Sequence, residues 1–183
     1  MTILRAHAGQ RPSIGRDVFL ADNATLIGAV EIGDEASVWY GAVLRGDVGR
    51  VLIGARTNIQ DNATIHMTHQ VSHALIGSDV IVGHNAVIHG ALIEDGALIG
   101  MSSVVLDNAR IGAGSWVAAG SVVPPNLVVP PGMLVRGSPA KVVREVRAEE
   151  REWARQGVVR YIELARQHRL EQLGEGAASE SKT

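Results

Sequence analysis

The chain has no cysteine among its 183 residues, only 3% aromatic residues, and almost no net charge, with 17 basic residues against 19 acidic ones. The first absence excludes disulfide frameworks, thiolate metal sites and a cysteine nucleophile, and it fits a reducing cytosol. Any metal must therefore be held by nitrogen and oxygen donors. The balance of charge supplies no basic field for nucleic acid or for an anionic membrane, so neither is an expected partner and a small or neutral ligand is favoured. No run approaches the ~20 apolar residues of a membrane span, and Met1 to Gly9 lacks the apolar stretch of a signal peptide. A soluble, cytoplasmic protein with one main core is expected. What the chain does have is glycine, at 21 residues, set among Val, Ile, Leu and Ala. That composition suggests thin, closely stacked layers and directs attention to repeats.

Aliphatic residues recur every six positions. The series runs through Ile14, Leu20, Leu26, Ile32, Val38 and Leu44, then Ile53, Ile59 and Ile65, then Ile76, Val82 and Ile88, and on through Ile99, Val105, Ile111 and Val117. Units such as IGSDVI, VGHNAV and IHGALI begin with the aliphatic residue and continue through small and polar ones. A period of six does not match the 3.6 of an amphipathic helix, and the density of glycine and β-branched residues argues against one. A six-residue strand-and-turn unit cannot bury its own apolar side chain, but three units make a triangular coil whose aliphatic residues fill the interior, and stacked coils bury a continuous column. The predicted fold is an all-β solenoid, a parallel β-helix with register from roughly residue 12 to 125.

The segment Pro124 to Pro139, rich in Pro and Gly and ending in RGSPAK, reads as a turn-bearing exit that stops the solenoid. Mixed charge interspersed with Trp153, Tyr161, Ile162, Leu164 and Ala165 predicts an amphipathic helix from about Ala148 to Leu170, interrupted near Gly157 and packed outside the coils. The expected division is a β-helix over 1–137, a helical segment over 138–173 and a disordered polar tail over 174–183.

Counting phase places the histidines. Every third hexapeptide returns to the same face, and two insertions, at Asp47 to Val51 and Met67 to Leu75, are taken as corner loops that leave the face order intact. Leu44, Ile65 and Ile88 then share a face, and the residues after them, Arg45, His66 and His89, stack at one corner with a rung spacing of ~4.8 Å. Two stacked imidazoles can converge on one ion. His84 falls on a different face and points away from that corner, with Asp61 in the same unit position one coil earlier and Gln60 beside it. A neighbouring subunit could bring its own His84 to the His66 and His89 corner, and a three-fold axis would create identical sites at three interfaces of a homotrimer. Three neutral imidazoles with one open position form the ligand set of a catalytic zinc site, although iron(II), cobalt(II) or nickel could occupy it. The plainer possibility is that these are polar residues at solenoid turns. His7, His69, His73 and His168 fall outside the construction; His69 and His73, in the loop after His66, either line the pocket or are solvated.

The combination LRGD at Leu44 to Asp47, NIQDNATIH at Asn58 to His66 and VGHNAVIHG at Val82 to Gly90 resembles the gamma-class carbonic anhydrases over almost the whole chain. The resemblance to hexapeptide-repeat proteins implies left-handed winding, against the usual crossover rule. It also implies His66, His84 and His89 as metal ligands, with His84 from the adjacent subunit. Gln60 would orient the water on the metal, Arg45, Asp47 and Asp61 would form a charged network for subunit pairing or bicarbonate anchoring, and Tyr161 would reach into the pocket or pack the helix. The implied activity is a lyase reaction, reversible hydration of carbon dioxide to bicarbonate, with the metal lowering the pKa of its water to ~7, a value familiar from carbonic anhydrase itself. The chain departs from the best-known members in its proton shuttle: Val48 follows Asp47 where a glutamate is expected, and Met67 to Ser72 is short and holds no carboxylate. His69 or His73 is the available substitute. Two other readings stand beside this one, a thioesterase or acyltransferase acting on acyl-CoA, and a metal-cemented structural trimer without catalysis.

Overall fold

Three columns of aliphatic side chains run through the interior, each built by in-register parallel pairing of short strands. One column is Leu26, Leu44, Ile65, Ile88, Val105 and Val123. The second is Ile32, Ile53, Ile76, Ile93, Ile111 and Val129. The third is Leu20, Val38, Ile59, Val82, Ile99, Val117 and Val135. All but Leu20 are buried. Each such side chain contributes roughly 1.5–3 kcal/mol of hydrophobic stabilisation, so the columns dominate the energetics. The computed structural model describes residues 1–174; the chain is a left-handed parallel β-helix of about seven coils with one C-terminal helix. The tail expected to be disordered lies, from residue 175 on, outside the described residues.

Between strands the chain turns at residues in the left-handed region, among them Asn62 (φ 59°), Asn85 (φ 58°) and Asn108 (φ 59°). Asparagine tolerates this conformation because its short polar side chain bonds locally. Asn62 and Asn85 lie one coil apart at the same corner, followed there by Ser102 (φ 56°), while Asn108 turns the chain at another corner.

Three expectations need correction. Asp47 to Val51 is not a loop but part of one 11-residue strand, Val43–Ile53, which turns the corner alongside Thr25–Ile32. Glycine permits this: a Cβ on Gly28 would lie 2.4 Å from the Gly46 carbonyl oxygen, and one on Gly46 would lie 2.4 Å from that of Ala29. The solenoid also continues past Pro124, through Val128–Val129 and Met133–Gly137, and RGSPAK is the hairpin joining Met133–Gly137 to the antiparallel strand Ala140–Glu145. Finally, the helix Ala148–Gln172 runs unbroken through Gly157. A Cβ there would meet Ile81 Cδ1 at 3.1 Å, so the glycine serves close packing.

The helix lies along the third column's strands, seating Ala154, Val158 and Ile162 on Ile81, Leu98 and Trp116, and Ala165 with Tyr161 and Leu164 on Phe19, Ala21 and Trp39. Its start is fixed to the hairpin by Glu150, which accepts hydrogen bonds from the Arg144 guanidinium (2.8 Å), the Arg147 guanidinium (2.8 Å) and the Arg147 backbone N–H (2.9 Å). No helix among the described residues is long and apolar enough to cross a membrane.

Candidate metal centre

His66 ends the strand Thr64–His66, and His89 ends Val87–His89 in the next coil. The strands pair in register, so the two residues are direct partners, their ring centroids 5.4 Å apart. Both are half-buried. Alternation fixes this arrangement: Ile65 and Ile88 point into the core, and the following residue must emerge on the outer surface at the corner. Arg45 follows Leu44, which pairs with Ile65 one coil earlier. It forms an ion pair with Asp47, whose other oxygen lies 3.0 Å from His66 Nε2. Partial burial pushes the Asp47 carboxyl up, but hydrogen bonds from Arg45 and His66 outweigh it and hold the group below its ordinary range.

His84 stands at a different corner, in the turn after Ile81–Val82, and its Nδ1 is 2.8 Å from Asp61 Oδ2. The turns stack, with the Asn85 N–H donating to the Asp61 carbonyl at 2.9 Å. Gln60, beside Asp61, is buried, and its amide Nε2 donates to Asn58 Oδ1 at 3.0 Å. Tyr161 of the helix closes over this corner, edge-on to Trp39 at 5.4 Å, and burial followed by the charge of Asp61 pushes its hydroxyl above the ordinary value. The predicted residues thus gather at two corners: Arg45, Asp47, His66 and His89 at one; Gln60, Asp61, His84 and Tyr161 at the other. Within one chain, no group of three or more such ligands converges among the described residues.

Asp107 was missed by sequence reasoning. Its Oδ2 is 3.1 Å from His89 Nδ1 and accepts from Thr68 Oγ1 at 3.0 Å, while its Oδ1 accepts from Ser72 Oγ and the Thr68 N–H. Burial raises its pKa, yet these hydrogen bonds bring the carboxyl below its usual range. The signal was available, because the coil after Ile88 returns at Val105, which brings Asp107 beside Gly90 and within reach of His89. His73 Nδ1 accepts from the Arg50 backbone N–H at 3.1 Å, and His69 is exposed in the loop. His168, on the helix itself, packs among Phe19, Trp39 and Tyr40.

Comparison with known proteins accords with the repeat. Residues 11–46 match the family model of the bacterial transferase hexapeptide (six repeats). A carbonic anhydrase of Geobacillus kaustophilus is 39% identical over 144 residues, 79% of each chain. This chain belongs to the gamma-class carbonic anhydrase-like family. Gamma carbonic anhydrase 2 of Arabidopsis thaliana, a mitochondrial protein, is 44% identical over 165 residues, 87% of this chain; the chain spans only 59% of that relative's length. One similar solved structure carries another description. A Bacillus cereus protein proposed as an acetyltransferase, the product of its BC4754 gene, is 38% identical and superposes with a TM-score of 0.91 over 93% of this chain and 99% of its own.

The residues present suit the metal that a gamma-class family member would carry. Each of the three imidazoles has one ring nitrogen engaged by a carboxylate, His66 by Asp47, His84 by Asp61 and His89 by Asp107, and the other nitrogen remains available as a donor. This carboxylate–imidazole pairing fixes the tautomer and ring orientation of metal-binding histidines. The pairings differ in sense: His84 and His89 use Nδ1 toward the carboxylate, whereas His66 uses Nε2.

Proposed function

We propose that this chain is a metal-dependent carbonic anhydrase, interconverting carbon dioxide and bicarbonate as a homotrimer. His66 and His89 of one subunit and His84 of the partner subunit would hold the metal, zinc first and iron(II), cobalt(II) or nickel as other occupants. The observation that carries this reading is the in-register pair of carboxylate-backed imidazoles, His66 and His89, at a surface corner of a chain from the gamma-class family. When bound, such a metal supplies Lewis acidity, bringing the pKa of a water down to ~7.

The protein's own groups account for the rest. Gln60 donates an amide N–H to Asn58, and its carbonyl oxygen, which accepts no hydrogen bond among the described residues, would orient a water. Tyr161, kept protonated by burial and by Asp61, is a hydrogen-bond donor suited to a bicarbonate oxygen. Arg45 balances the Asp47 charge beside His66, which keeps the corner from repelling an anionic product. The Met67 to His73 loop holds no carboxylate, and His73 is turned to Arg50, so His69 is the group left to pass protons to solvent. A cytoplasmic setting belongs to the same proposal.

Acyl chemistry is the second reading, supported by the Bacillus cereus relative proposed as an acetyltransferase. The two are separated by assaying carbon dioxide hydration and acetyl-CoA hydrolysis or transfer on one preparation, with His89→Ala as the control. Hydration that disappears in H89A, with acetyl-CoA untouched, is the expected result. Acetyl-CoA turnover without hydration would replace the first reading by the second, and two blank assays on a metal-dependent trimer would leave a structural role.

A further inference from the structure

The loop after His66 and the imidazole of His89 meet at one carboxylate. The strand pairing Ile88 with Val105 and the Asn108 N–H donating to the Gly90 carbonyl at 2.7 Å put Asp107 directly beside Gly90, one coil on. From there it reaches in two directions. Toward the strand it meets His89 Nδ1 at 3.1 Å, and toward the loop it takes the Thr68 hydroxyl at 3.0 Å, the Thr68 N–H at 3.3 Å and the Ser72 hydroxyl. Gly90 is what leaves room: a Cβ there would lie 1.9 Å from Ser72 Oγ and 2.3 Å from Asp107 Oδ1. The backbone φ of +66° at this glycine adds a second reason for the residue type.

We propose that Asp107 is the positioning residue of the metal centre: one carboxylate orients His89 and clamps the Met67–His73 loop, so that ligand geometry and loop closure are set together. This rests on the metal reading above and extends it to a residue outside the ligand set. An ionised carboxylate only accepts hydrogen bonds, so the His89 proton sits on Nδ1 and the lone pair on Nε2 faces outward. Asp61 does the same for His84, but no loop hydrogen bond to Asp61 accompanies it among the described residues. Among the described residues, Asp107 alone of these carboxylates joins a proposed ligand to a loop. A loop that opens withdraws two hydroxyl donors and one N–H from the carboxylate and frees it to turn away from His89.

The test compares Asp107→Ala and Asp107→Leu, the latter retaining volume, with Asp107→Asn and with the double variant Thr68→Ala/Ser72→Ala. Three quantities are measured: the His89 side-chain 15N shifts in metal-free protein, zinc affinity by chelator competition, and hydrogen exchange across residues 67–73. In the Ala and Leu variants, His89 is expected to become a mixture of tautomers, zinc to bind ~10–100-fold more weakly, and the loop to lose protection. Asn, which keeps a carbonyl acceptor, should restore the Nδ1–H tautomer and much of the affinity. The double variant should open the loop and weaken zinc less than the Ala variant does. An unchanged His89 tautomer and zinc affinity in both the Ala and Leu variants would overturn the proposal. The tautomer is read without metal, so a wild-type protein that takes up no zinc would sink the metal reading while the role of Asp107 toward His89 is still decided.

Discussion

His66 and His89 face each other across a single rung of parallel sheet, ring centroids 5.4 Å apart, while His84 is held at another corner by Asp61 at 2.8 Å. A site drawing on all three must then span two chains. Neither His84→Ala nor His89→Ala should retain metal alone, yet trimers refolded from a mixture of the two variants should regain one intact interface each. Metal analysis of the separate and mixed samples checks this. Mixed trimers as empty as the parents would mean that the three histidines do not share a site.

Ile88 anchors the strand that presents His89 and is fully buried in the first column. Ile88→Ala should cost about 2–5 kcal/mol, as expected for truncating a packed core side chain. Urea unfolding gives the value. A loss under about 1 kcal/mol would mean that the column relaxes around the gap.

Gly157 lies within the helix yet faces Ile81 Cδ1, which an added Cβ would meet at 3.1 Å. Alanine gains about 1 kcal/mol in helix propensity and needs only a small displacement of a flexible methyl, so Gly157→Ala should be neutral to mildly stabilising. Gly157→Leu should lift the helix from Ile81 and lower the melting temperature. Thermal melts of both variants separate packing from propensity.

Glu150 gathers four hydrogen bonds from Arg144 and Arg147 at the helix start, and they hold its carboxyl far below the usual glutamate range. A depressed folded pKa adds stability above the unfolded value of about 4.3 and loses it only as pH falls through the folded value. The helix start should therefore stay docked through pH 4, and the Glu150 carboxyl resonance should not titrate there. A midpoint near 4 would show the arginines to be solvated rather than bonded.

The solenoid and its phase were legible because the repeat is a packing requirement: Leu44, Ile65 and Ile88 each had to be inward, which fixed where His66 and His89 emerge. What failed was local. Gly28 and Gly46 let two strands turn a corner in contact, so an apparent insertion is strand, and no spacing rule reports that. The pairs Pro124–Pro125 and Pro130–Pro131 look like breakers, yet they fall at corners between inward Val123, Val129 and Val135, where proline costs no core position. Gly157 was read by propensity when contact with Ile81 decides it. Asp107 escaped because the count followed histidines, whereas its role depends on a loop whose path the repeat does not specify.

The most direct test is metal analysis and carbon dioxide hydration on one purified sample, as isolated, after chelation, and after zinc or iron(II) is restored. One metal ion per chain is predicted, with hydration lost on chelation and regained on reconstitution. A sample that hydrates carbon dioxide equally well when stripped, or that takes up no metal under any of these conditions, would contradict it.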